Sequence, residues 1–236
     1  MNEMLRNLPR EFLVALRFTL VLAAITGLLY PLAMTGVAQG LFHDRANGSL
    51  VSDAHGQVIC SSLIGQCFYR TTTAKDASTV YATTKDDQGN TIFAVDPRWF
   101  QGRPSFTVDA DGNPLPCNAA NSTGSNLAPS NPALISRVKG YTDYLHSLGV
   151  AKNPDGSNAP MPVDLVTGDF TGFDPDISEA AALVQVDMVA QARGLDPATL
   201  RRLVEQHVDG RVLAVFGEPH DNVLSLNMAL DHAATG

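Results

Sequence analysis

The chain holds 236 residues, 44% of them hydrophobic and 7% aromatic, which is enough for a sizeable core and too apolar for a disordered chain. Sixteen Lys and Arg stand against 24 Asp and Glu, a net charge of −8. That balance excludes nucleic acid as a partner, because phosphate binding needs a basic surface.

From Phe18 to Phe42, 25 consecutive residues carry no charged side chain. As a helix they reach roughly 37 Å, more than the about 30 Å of a bilayer's hydrocarbon core, where one charge costs roughly 2.5–3.5 kcal/mol. A transmembrane helix is therefore expected over 18–42. Arg6, Arg10 and Arg17 precede the run, whereas Arg45 alone follows before Arg70; basic residues mark the cytoplasmic side, so 1–17 are expected in the cytoplasm. The rival is a cleaved signal peptide, with Gly36-Val37-Ala38 as its small-x-small site. It is disfavoured because the run exceeds the about 7–15 residues of a signal core. Both readings export the remainder of the chain. Within the run, Ala23 with Gly27 and Gly36 with Gly40 repeat small residues at a spacing of four, around Pro31. Small residues admit a partner helix, so these five are the candidate helix-packing residues.

Residues 43–236 carry 13 Lys and Arg against 22 Asp and Glu and are expected to form one α+β, extracytoplasmic (periplasmic) domain. Its acids are mostly Asp, a residue of turns and caps. A hairpin is predicted from Gly48–Ser52 and Gln57–Ser62 around the turn 53–56, and a second from Val80–Thr84 and Thr91–Val95 around 85–90. The Asn-, Ser-, Gly- and Pro-rich stretch 114–132 reads as a loop. Asn131-Pro132 then opens a helix that Gly149 closes. A strand is predicted near Val163–Thr167. A helix opens at Asp176-Ile177-Ser178-Glu179 and ends at Arg193-Gly194, and Asp196-Pro197 caps another that reaches His207. Val212–Phe216 reads as a strand, followed by a last apolar segment, Val223–Leu230. Strand pairs mixed with several helices make an α+β class.

No catalytic constellation is found. No two glycines stand two apart, so G-x-G-x-x-G cannot occur, and neither a P-loop nor G-x-S-x-G is present. Asp-Lys-Thr-Gly, the phosphorylation motif of P-type pumps, is absent. The six histidines (His43, His55, His146, His207, His220 and His232) lack zinc-ligand spacing. Asp109, Asp111 and Asn113 match the start of a calcium loop, but Pro114 and Ala120 stand where Gly and Glu are needed, so a turn is expected. Cys60, Cys67 and Cys117 allow a Cys60–Cys67 or a Cys67–Cys117 bridge, or three free thiols. Asp164, Asp169, Asp174 and Asp176 could do acid–base work, and the Gly/Thr-rich loop among them could hold an anion. A capped turn is the simpler reading. No catalytic, cofactor-binding or metal residue is assigned. Were a nucleotide or anion held, Thr167, Gly168, Thr171 and Gly172, with Gln185, would form its loop.

The whole chain resembles the C subunit of the bacterial potassium-transporting Kdp ATPase. The resemblance runs through Tyr30-Pro31, Thr35-Gly36 and Ala38-Gln39, then Ala46-Asn47-Gly48-Ser49-Leu50, Ser61-Ser62-Leu63-Ile64-Gly65-Gln66 and Trp99-Phe100-Gln101-Gly102-Arg103-Pro104-Ser105. It continues in Pro129-Ser130-Asn131-Pro132, Pro162-Val163-Asp164-Leu165-Val166-Thr167, Asp174-Pro175, Gln185-Val186, Ala192-Arg193-Gly194-Leu195 and Gly217-Glu218-Pro219. Relative to the usual form, residues 69–95 look like a hairpin insertion, and Gly168-Asp169-Phe170-Thr171-Gly172-Phe173 replaces a Ser/Gly run. The resemblance implies a non-catalytic, single-pass inner-membrane subunit of an ATP-driven potassium importer, supporting assembly and raising the pump's affinity for ATP. Its partners would be a potassium-translocating channel-like subunit, an ATP-hydrolysing P-type subunit, a small membrane subunit and the lipid bilayer. No cofactor is expected in the chain itself; ATP and potassium would be handled by the complex. The alternative is an anchored or secreted hydrolase, or a ligand- or cation-binding domain, using the Asp164–Asp176 cluster.

Overall fold

The computed structural model describes residues 2–52, 56–74 and 79–234, and its contacts divide the chain into two units, 1–61 and 62–236. In the first unit, α1 (Asn2–Ala24), one π-helical turn (Ile25–Leu29) and α2 (Tyr30–Leu41) follow without a break. Pro31 explains the π turn. It has no N–H to give the preceding turn, and the Tyr30 N–H reaches back five residues to the Ile25 carbonyl. The Thr26 and Thr35 hydroxyls donate to the carbonyls of Leu22 and Pro31, each at 2.8 Å. The stretch Leu8–Leu41 is long and apolar enough to cross a membrane, and no part of its most apolar window is buried by the chain itself. After α3 (His43–Ala46), β1 (Leu50–Ser52) pairs antiparallel with β2 (Val58–Ser61). This is the first predicted hairpin; residues 53–55 of its turn lie outside the described residues.

The second unit opens with an arrangement that the single predicted hairpin does not anticipate. Two pairs form: β3 (Thr71–Thr73) with β4 (Thr79–Tyr81), and β5 (Thr83–Lys85) with β6 (Thr91–Phe93). The predicted strand Val80–Thr84 is split because Ala82 leaves both ladders. Its N–H donates to Arg70 O at 2.8 Å, Arg70 N–H donates to Ala94 O at 2.7 Å, and Ala94 N–H donates to Ala82 O at 2.8 Å. The three bonds close a ring. The residues just before them, Tyr69, Tyr81 and Phe93, recur every 12 positions, and their ring centroids lie 5.4–6.2 Å apart. The entering and leaving chain, bridged at Tyr69 and Val95, forms a third arm. Residues 69–95 are thus a three-way junction with an aromatic plug.

Three turns share one construction. In Asp86–Asn90, Asp109–Asn113 and Asn153–Ser157 the first residue's N–H donates to the last residue's carbonyl at 2.9–3.0 Å, and the fourth residue is a glycine at positive φ. The Asp86 and Asp109 carboxylates accept the amides inside their own turns.

The helices then cover the core. Asn131 caps α4 (Pro132–Ser147). Asp176-Ile177-Ser178, read as the opening of a helix, forms β7, which pairs with β8 (His220–Asn222). Ser178 caps α5 (Glu179–Leu183), and α6 (Val186–Arg193) follows after a break at Val184–Gln185 and ends in left-handed Gly194. Asp196 caps α7 (Pro197–His207), and α8 (Val223–Ala234) closes the chain. Two predicted strands do not form. Residues 163–165 make one 3-10 turn, and Val212–Phe216 is a tight loop with one bridge. Neither segment has a strand alongside, and an apolar run without a partner cannot build a ladder. The α+β class holds, with four two-stranded pairs among the described residues.

Candidate functional site

The predicted loop after Val166 is spent on its own structure. Asp169 accepts the amide N–H groups of Thr171 at 3.1 Å and Asp174 at 2.6 Å, and that of Gly172 as well. These backbone donors would otherwise face an anion; a carboxylate of the chain already occupies them. The Thr171 hydroxyl donates to the same carboxylate and that of Thr167 to the Val163 carbonyl. A Cβ on Gly168 would strike the Phe106 ring and the Pro104 carbonyl, and one on Gly172 (φ +84°) would strike Thr107. Both glycines therefore let this loop lie against the extended segment 104–107. Phe170 projects into solvent, 90% exposed.

Gln185 is elsewhere and buried. Its amide oxygen accepts from Gln101 N–H at 2.8 Å, and its nitrogen donates to Gln101 O at 3.1 Å and Ala181 O at 3.0 Å. Asn227 treats the neighbouring Phe100 in the same way, accepting from its N–H and donating to its carbonyl, each at 2.9 Å. Two side-chain amides thus supply the hydrogen bonds that a strand would have given Phe100 and Gln101.

The four carboxylates read as a possible acid–base cluster have separate employments. Asp164 accepts from Ser178 N–H at 2.7 Å, and Asp174 pairs with Arg103 at 3.8 Å. Asp176 faces Asn222 and His220, and burial raises its pKa against the pull of His220. Asp109, Asp111 and Asn113 form the turn expected of them. Among the described residues no group of three or more His, Cys, Asp or Glu is placed to hold a metal. Cys67 and Cys117 form a disulfide with Cα atoms 5.7 Å apart, and Cys60 is free.

Two features escaped the reading of the sequence. Asp221 in β8 is wholly buried, and among the described residues neither of its carboxylate oxygens has a hydrogen-bond partner. Burial, with Glu179 nearby, pushes its pKa up to about 6, against the opposing pull of His207 and His220. The second is the loop Val212–Phe216, whose Val212, Leu213, Val215 and Phe216 are all exposed, Leu213 at 81%. The loop is held rather than loose. Asp209 and His220 exchange backbone bonds at its base, Arg211 and Glu218 pair at 2.5 Å across its neck, and Leu213 and Ala214 sit at positive φ. An apolar run flanked by Gly210 and Gly217 reads equally as a strand; only the missing partner strand tells them apart.

The small residues of the long helix are open. Apart from their sequence neighbours and the backbone of their own helix turns, no atom of the described residues comes within 4 Å of a Cβ built on Gly27, Gly36 or Gly40. The exposed apolar side chains among the described residues include those of the long helix and of the 212–216 loop.

A family model described as the c chain of the K+-transporting ATPase, KdpC, matches residues 12–232. The potassium-transporting ATPase KdpC subunits of Bradyrhizobium diazoefficiens and Rhodopseudomonas palustris are each 46% identical to the chain, over 95% of it and 98% of their own length. That of Paraburkholderia xenovorans is 41% identical over 98% of the chain and all of its own length.

Proposed function

Because the chain belongs to the KdpC family and is thereby a subunit of a potassium-transporting ATPase, we propose that it is the non-catalytic docking subunit of that complex. The observation that carries this reading is the Leu8–Leu41 helix, long and apolar enough to cross a membrane, with no buried residue in its most apolar stretch. In this reading the helix crosses the inner membrane with 1–17 in the cytoplasm, and its open glycine faces meet helices of the companion subunits. The second unit stands outside the cytoplasm. Its Cys67–Cys117 disulfide supports that placement, since structural disulfides persist in oxidising compartments. The 212–216 loop, rigid and apolar, is then its contact with a larger companion.

Support for assembly follows directly, whereas any rise in ATP affinity acts through the companion that hydrolyses ATP. The chain's own anion-loop amides are engaged by Asp169, and in this topology ATP lies across the membrane from the second unit. Detergent extraction of the native complex tests the reading. The chain should co-purify with a potassium-translocating and an ATP-hydrolysing subunit, and its deletion should abolish growth at limiting potassium. Recovery of the chain alone, with growth unaffected, would remove the proposal. Protease added to cells with a permeabilised outer membrane should digest the second unit; digestion only in inverted vesicles would reverse the topology.

A further inference from the structure

The second unit contains an apolar cavity of about 250 Å³ walled by Tyr69, Ile92, Phe93, Phe106, Tyr141 and Val166. At roughly 30 Å³ for a water-sized group, it has room for about eight non-hydrogen atoms. Arg137 also lines it, its guanidinium carbon 3.8 Å from the centre of the Phe106 ring. Phe106 is itself seated against Gly168, where a larger residue would displace it.

Arg98, Arg103, Arg193 and Arg211 each pair with a carboxylate, whereas among the described residues Arg137 has neither a carboxylate nor a hydrogen-bond acceptor. Arg45 and Arg201 also lack one, but they are exposed, while Arg137 lines the apolar cavity. Acids are not scarce, for this part of the chain has 22 of them against 13 Lys and Arg. Partial burial disfavours the charge of Arg137 and moves its pKa downward, a cost that an anion beside it would offset. The nearby hydroxyls offer no competing charge: burial pushes the pKa of Tyr69 up to about 12.

We propose that this cavity binds a small apolar carboxylate of about eight heavy atoms, its head paired with Arg137 and its hydrocarbon body packed among Ile92, Phe106, Tyr141 and Val166. A guanidinium can take a carboxylate through two parallel hydrogen bonds, which fixes the head, while the apolar walls take the chain.

The test uses the full chain in lipid nanodiscs and a photoreactive six-carbon carboxylate, with the matched alcohol as control and mass spectrometry to locate the adducts. The acid should label peptides containing Phe106 or Tyr141 about tenfold more than the alcohol does, a preference of about 1.4 kcal/mol, and hexanoate should compete. Arg137→Gln should bring the acid down to the level of the alcohol, and Arg137→Lys should keep part of the preference. Equal labelling by acid and alcohol overturns the proposal without any variant. So does labelling confined to residues 8–41, which would report partition into the bilayer, or an acid preference that survives Arg137→Gln.

Discussion

At Phe100 and Gln101 the chain runs extended through the core with no strand beside it, and the carboxamides of Asn227 and Gln185 pair its backbone. Removing one amide strands two buried peptide groups, each costing about 1–3 kcal/mol. Gln185→Leu should therefore destabilise the protein by roughly 2–5 kcal/mol by denaturant unfolding, and Gln185→Glu should not restore it, since a carboxylate cannot donate to the Gln101 carbonyl. Asp221 predicts a pH dependence. A carboxyl whose pKa rises on folding to about 6 binds its proton more tightly in the folded chain, so its contribution to stability is greatest at low pH and falls between about pH 4 and pH 6. Asp221→Asn has no such proton to lose. The variant's unfolding free energy relative to the parent should climb across that window, by an amount on the order of 1–2 kcal/mol once screening is allowed for; a flat difference would refute the assignment.

Among the elements, the three-way junction and the 212–216 loop show how short apolar runs divide. Thr79–Phe93 finds partners in Thr71–Thr73 and in itself, and its aromatic residues turn inward at Tyr81 and Phe93. The arm ending at Asp86–Asn90 lies on α4 where Gly140 leaves space; a Cβ there would overlap the Asp86 carboxylate. Gly140→Ala, which in an exposed helix would stabilise by roughly 0.5–1 kcal/mol, should here lower stability by about 1–3 kcal/mol, read as a drop in melting temperature. Val212–Phe216 has no such partner, and its apolar side chains stay in solvent. Leu213→Asp touches no core contact, so melting should stay within about 0.5 kcal/mol of the parent, while co-purification with the companion subunits should fall. Unchanged co-purification would show that this loop is not the contact.

At the scale of the molecule, the disulfide ties Cys67, before the junction, to Cys117, after the extended segment, closing a loop of sequence separation 50. Cys67→Ser should cost about 2–4 kcal/mol, and reductant should lower the melting temperature of the parent but not of the variant. Labelling of the unreduced, denatured parent should count one thiol, that of Cys60. Much of this organisation is legible in the chain: the apolar helix, the caps Asn131, Ser178 and Asp196, and the glycine turns all rest on neighbouring residues. The candidate loop was legible as a Gly/Thr-rich segment. That Asp169 fills it and that its glycines serve close packing was not, because those partners are set by three-dimensional approach.

What the linear sequence determined by itself was a helix long and apolar enough to cross a membrane, the α+β class and the family, since hydrophobic length, capping and ordered motifs are local or cumulative along the chain. Tertiary structure alone decided which apolar runs became strands, which cysteines joined, and that Arg137 faces a cavity without an acid. Each of these depends on partners distant in sequence, and strand pairing, disulfide closure and the cost of a buried charge exist only once those partners meet.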